Sequence, residues 1–120
     1  MDLNNPVIKL CVEGTRAEFQ GQIDEARACY QKAWESAQDD YEACVAAHYM
    51  ACHQDQPEER LHWNQVALEK AEAVGDARVS EFYPSLYLNL GQSHELLGNR
   101  TEAKHYYDLA AELGVLHNDS

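Results

Sequence analysis

The sequence predicts an all-α protein, a helical-hairpin solenoid of about six antiparallel helices. Two observations carry this. Gly14, Gly21, Ala26, Tyr30 and Ala33 form a spaced set that returns at Gly91, Gly98, Ala103, Tyr107 and Ala110 with every internal interval kept. Between the two sets, Ala67 lies 34 residues after Ala33, the period of a helix-turn-helix solenoid repeat. A small residue, a tight turn and a small-aromatic-small helix face describe two helices that approach closely. Such stacked hairpins form extended binding surfaces.

The first helix runs from about Pro6 to Phe19, with Val7, Leu10, Cys11, Gly14 and Ala17 at spacings of three and four. Pro6 suits a first turn, where its missing N–H costs nothing. Gly21 closes the hairpin, and the second helix, about Ile23 to Gln38, carries Ile23, Ala26, Tyr30, Ala33 and Ala37 on one stripe. Asp39 with Glu42 three residues on forms a capping box for the third helix, about Tyr41 to His53. Gln54-Asp55-Gln56-Pro57 is the next turn. The fourth helix, about Glu58 to Val74, bears Trp63, Ala67, Leu68 and Ala71 and ends at Gly75.

From Ala67 to Ala110 the interval is 43 residues, longer than the period, and the surplus lies in Gly75 to Tyr83. The fifth helix either begins at Ala77, capped by Asp76 and bent at Pro84, or begins at Pro84 after a short turn. The apolar side offered by Ala77, Val79, Phe82 and Tyr83 favours the long, bent helix. Gly98-Asn99 turns the chain into the sixth helix, about Thr101 to Leu113, which Gly114 stops. His117-Asn118-Asp119-Ser120 reads as a frayed end. The expected organisation is a single domain over 1–120, with repeats at about 6–39, 40–75 and 76–114.

Composition narrows the function. The formal net charge is −12, from 9 Lys and Arg against 21 Asp and Glu. That balance argues against a nucleic-acid ligand, which needs a basic patch, and against an anionic membrane surface. It favours a neutral or basic partner. No apolar run reaches the ~20 residues of a membrane span, and Met1-Asp2-Leu3-Asn4-Asn5-Pro6 is unlike a signal peptide. A cytoplasmic location is expected, with Cys11, Cys29, Cys44 and Cys52 as reduced thiols.

Gly21-Gln22-Ile23-Asp24-Glu25-Ala26 and Gly98-Asn99-Arg100-Thr101-Glu102-Ala103 resemble the turn and second-helix start of tetratricopeptide repeats. Leu90-Gly91, with Tyr87 before it and Tyr107 and Ala110 after it, completes most of that pattern in the third hairpin. The middle hairpin departs from it. His48 stands where the small glycine is expected, Arg60 where the alanine is, and Asn64 where the aromatic is. The resemblance covers about Pro6 to Gly114 and implies a right-handed superhelix whose first helices line a concave groove for proteins or peptides.

Transferring the family's groove positions names Ile8, Cys11, Thr15 and Glu18 on the first helix, and Glu42, Val45, Tyr49 and Cys52 on the third. The fifth contributes Ser85, Leu88, Gln92 and Glu95. Many members clamp an acidic chaperone tail with Lys, Asn and Arg. The matching positions here read Cys11, Thr15, Ala46, Ser85 and Asn89, so the cations are missing and a chaperone tail does not suit. A neutral or basic segment with an apolar anchor suits the groove better. The final helix bears Tyr106, Leu109 and Leu113, and a homodimer covering that face is the second expectation.

Catalysis and cofactors find little support. Cys44, His48 and Cys52 are spaced by four on one helix with His53 adjacent, but residues i and i+8 are ~12 Å apart in rise and cannot share one zinc. No metal site, cofactor or catalytic residue is expected, and the chain is not expected to be an enzyme. Trp34 and Trp63 read as inter-helix packing. Circular dichroism should show well over half the residues in helix and no strand signal. Ala103→Leu should cost ~1–3 kcal/mol by forcing bulk into a helix contact. An unchanged melting temperature would place Ala103 in solvent.

Overall fold

A computed structural model describes residues 4–114. Of these, 81% are helical, in seven helices with no strand among the described residues. They are α1 (Pro6–Phe19), α2 (Ile23–Ser36), α3 (Asp40–Cys52), α4 (Pro57–Val74), α5 (Ala77–Ser80), α6 (Tyr83–Leu96) and α7 (Arg100–Glu112). The expected fraying at His117 to Ser120 lies outside the described residues.

Local chemistry sets each boundary. Asn5 caps α1, its Oδ1 accepting from the N–H of Val7 at 2.8 Å and of Ile8 at 3.2 Å. Asp39 caps α3 by accepting from Glu42 N–H at 2.8 Å. The Glu42 carboxylate reaches back to Gln38 N–H at 2.9 Å, one residue earlier than a reciprocal box requires. Gly21 and Gly98 take φ of 77° and 80°, a left-handed turn that glycine makes without Cβ strain.

The insertion corrects the expectation of one long, bent fifth helix. A short turn, α5, forms under an Asp76 cap, and α6 starts separately at Tyr83 with Pro84 in its first turn. Proline has no N–H, and its ring collides with a helical carbonyl four residues back. The chain therefore breaks at Glu81-Phe82 and restarts where Pro84 costs nothing. Its side chains are used across the fold. Val79 is wholly buried, Arg78 lies 5.1 Å above the Tyr41 ring, and Phe82 stacks on Tyr41 at 6.3 Å.

The pairs α1–α2, α3–α4 and α6–α7 pack as hairpins, and α2 against α3, α1 against α3 and α4 against α6 join them in series. The interhelical faces are alanines. Ala26, Ala33, Ala46, Ala47, Ala67, Ala71 and Ala110 have no exposed surface, and Ala103 is 4% exposed. Trp34 and Trp63 meet edge to face at 5.0 Å, tying α2 to α4.

The close approach in the first and third hairpins has one form. A Cβ on Gly14 would lie 2.5 Å from Cε1 of Tyr30, and a Cβ on Gly91 2.6 Å from Cε1 of Tyr107. Each ring rests on a bare helix backbone of its own hairpin. Tyr30 is buried and stacked on its far side by Tyr49 at 5.2 Å and His53 at 4.6 Å, so it cannot retreat. Tyr107 is half-buried. Gly14→Ala should therefore lose ~1–3 kcal/mol to overpacking, outweighing a helix-propensity gain of about 1 kcal/mol. Gly91→Ala should lose less, because the Tyr107 ring is only half-buried. Urea melts of both variants check the order, and an equal or reversed loss contradicts the packing described.

Candidate functional site

The face built by α1, α3 and α6 is where the expected groove residues fall, and the fold distributes them among several tasks. Ile8 and Cys11 are buried with Val7, Ala33, Val45 and Ala46 in a core cluster, which removes them from the surface. Thr15 is half-buried. Its hydroxyl donates to Cys11 C=O at 3.0 Å and lies 3.3 Å from the Tyr30 hydroxyl. Glu18 accepts from Tyr30 OH at 3.2 Å and faces His53 Nε2 at 3.2 Å. Burial pushes the Tyr30 hydroxyl up to about 12, so it stays a donor at neutral pH.

The third hairpin repeats this bond. Tyr107 OH donates to Glu95 at 2.8 Å, again across a separation of twelve residues. Glu18 and Glu95 thus anchor the two tyrosines as well as charging the rim. Glu42 is held by Asn5 Nδ2 at 2.7 Å and by Gln38 N–H, tying the start of α1 to α3.

Two recesses separate α3 from α6. The first, ≈ 140 Å³, is lined by Val45, Tyr49, His48, Ser85, Leu86 and Phe82, with Cys44 behind them. Val45, Tyr49 and Ser85 are among the groove positions expected from the sequence. Phe82 is not among them, because its place depends on the break before α6. Burial holds the His48 imidazole below its ordinary value, which keeps it neutral in this apolar setting. The second recess, ≈ 260 Å³, is the more polar of the two, with Arg60, Asn64, Gln92 and Ser93 beside Ala51, Cys52 and Leu96 on its walls. Leu88, half-buried on α6, lines neither.

The alternation of paired helices, the tyrosine laid on a glycine and the glycine turn recur together in α6–α7. Residues 84–113 match the family model of the tetratricopeptide repeat. The chain carries a tetratricopeptide repeat. Repeats of this family build protein–protein interaction scaffolds. No curated protein and no solved structure matches the chain. The matched tetratricopeptide repeat supplies one wall of each recess, through Ser85 and Leu86 in the first and Gln92, Ser93 and Leu96 in the second.

The cysteines occupy contrasting settings. Cys11 and Cys44 are each 1% exposed, and burial pushes their thiols up to about 12 and about 11. Both remain neutral at physiological pH, and neutral thiols are poor nucleophiles and ligands. Cys52 is exposed. In the native protein at pH 7.5 (~25 °C), iodoacetamide should modify Cys52 and leave Cys11 and Cys44 intact, as peptide mass spectrometry would show. The two buried thiols cost no stability below their ordinary value of 9.0. Above it the unfolded thiols ionise while the folded ones resist, so stability falls as pH rises from there toward the folded values. Rapid labelling of Cys44 in the folded state would contradict this.

Proposed function

We propose that this protein is a binding scaffold that holds a protein or peptide segment along the α1–α3–α6 face. The segment is neutral or basic and inserts one apolar side chain into the recess between Val45, Tyr49, Phe82 and Ser85. That recess is the observation that carries the reading. At ≈ 140 Å³ it is close to the ~150 Å³ apolar cavity that holds benzene in an engineered protein. The net charge of −12 and the exposed carboxylates of Glu18 and Glu95 supply the complement to a basic flank. Three hairpins, with α5 inserted before the last, make the rigid frame. A pre-organised frame leaves the ordering entropy to the segment alone.

A second reading has its own observation. Leu113, at the end of α7, is 52% exposed, and a homodimer would cover it. Tyr106, expected on the same face, instead stacks on His94 at 5.6 Å and Tyr87 at 6.2 Å within the chain. Less apolar surface is left for such a contact, so the groove reading stands first.

Ser85 is exposed and lines the recess, so Ser85→Trp should fill it without removing a core contact. Peptides selected from a random display library against the native protein should bind the variant at least about tenfold more weakly, a loss of about 1.4 kcal/mol. Their affinity should also fall as salt rises. Fluorescence anisotropy measures both, with the melting temperature as the control for folding. Undiminished binding to Ser85→Trp, or selection of acidic segments, overturns this reading.

A further inference from the structure

The side of α6 turned away from the groove carries a ladder of aromatic rings. Tyr83, Tyr87 and His94 are spaced by four and seven residues, which puts them on one side of the helix. Ser85 and Gln92, seven apart, lie on the opposite side. Tyr83 and Tyr87 are 5.8 Å apart, Tyr106 of α7 stacks on Tyr87 at 6.2 Å, and His94 stacks on Tyr106 at 5.6 Å. Rings at these separations are offset, so part of each face is left uncovered. The three tyrosines are half-buried.

Two carboxylates lie within electrostatic reach of this ladder. Burial lifts the Tyr83 and Tyr87 hydroxyls above their ordinary value, and the charge of Glu72 on α4 lifts both further. At Tyr87 the charge of Glu112 on α7 adds to it. Glu72 and Glu112 are exposed, and neither forms an ion pair among the described residues. Aromatic faces beside unpaired carboxylates attract a cation, and the chain makes that combination once within itself. Arg78 holds its guanidinium 5.1 Å over the Tyr41 ring while Asp76 accepts from its Nε at 3.2 Å and its Nη2 at 3.0 Å. At the ladder the rings and the carboxylates are present, and no Lys or Arg among the described residues lies over them.

We propose that the α4–α6–α7 face is a second docking surface, for a basic partner that presents an arginine side chain. Its guanidinium rests against the Tyr87 ring and its N–H groups donate to the Glu72 and Glu112 carboxylates. Arginine fits better than lysine because its planar head stacks on a ring and forks to carboxylates, whereas an ammonium is a compact, strongly hydrated point charge. The net charge of −12 draws such a partner in. This surface is on the other side of α6 from the groove and does not depend on what the groove binds.

Titration of the native chain with N-acetyl-argininamide, followed by NMR, tests this. The probe should shift the Tyr87 and Tyr106 ring resonances saturably. It should bind about fivefold or more tightly than N-acetyl-citrullinamide, its neutral isostere, and more tightly than N-acetyl-lysinamide. Glu72→Gln and Glu112→Gln should each weaken it about threefold, whereas Glu25→Gln on α2, the same change of charge, should leave it as it was. Tyr87→Leu should erase the preference for arginine over lysine. If that variant does not fold, the exposed glutamates, whose amides leave the core untouched, carry the test. Absence of saturable shifts at the two rings, equal binding of the citrulline or lysine probe, or a loss in Glu25→Gln matching that in Glu72→Gln overturns the proposal. So does an arginine preference that survives in folded Tyr87→Leu.

Discussion

A tyrosine ring laid flat on a glycine of the facing helix is the contact on which this architecture depends. In α1–α2 and in α6–α7 the glycine offers no Cβ, the ring takes that volume, and the hydroxyl is tied to a glutamate one turn along. The arrangement brings two helices close enough for alanines to pack backbone against backbone. It also sends the first ring onward to Tyr49 and His53 of the next hairpin. One side chain therefore fixes the spacing within a hairpin and between hairpins. Close-packed interiors transmit such a constraint because they have no spare volume to absorb it.

The middle hairpin shows what happens when the device is changed on both sides. With His48 for the glycine and Asn64 for the tyrosine, bulk moves from the second helix of the pair to the first. The result is an apolar recess beside His48 and a polar one beside Asn64. The inserted residues close the other end. Phe82 and Arg78 meet the Tyr41 ring at the start of α3, and Val79 is buried beneath them. Divergence and insertion together leave two recesses between α3 and α6.

Much of this was legible in the sequence, and the reason is steric. The glycine, alanine and tyrosine positions admit few substitutes, so their spacing announces the first and third hairpins, while the middle one is read from Ala67 at the repeat period and from its Asp39 and Gly75 end signals. The break at Glu81-Phe82 was harder to read, since Ala77, Val79, Phe82 and Tyr83 offer an apolar side to either a long helix or a short turn. The conflict between Pro84 and the carbonyl four residues earlier decided it. Glu18 and Glu95 read as groove positions, although each stands twelve residues before a tyrosine, a repeated pairing that marks a bond across the hairpin. Ile8 and Cys11 matched groove positions but are buried, because α1 packs against α3 and closes over them. The Asn64 recess required knowing that α4 meets α6, a long-range contact that periodicity alone does not give.

Proton–proton contacts in solution test the ring-on-glycine account most directly. NMR should show cross-relaxation from the Tyr30 ring to the Gly14 α-protons and from the Tyr107 ring to the Gly91 α-protons. Both pairs of α-protons should be displaced upfield by the ring currents. Tyrosine rings that reach only their sequence neighbours, with Gly14 and Gly91 at ordinary shifts, would contradict the account at its base.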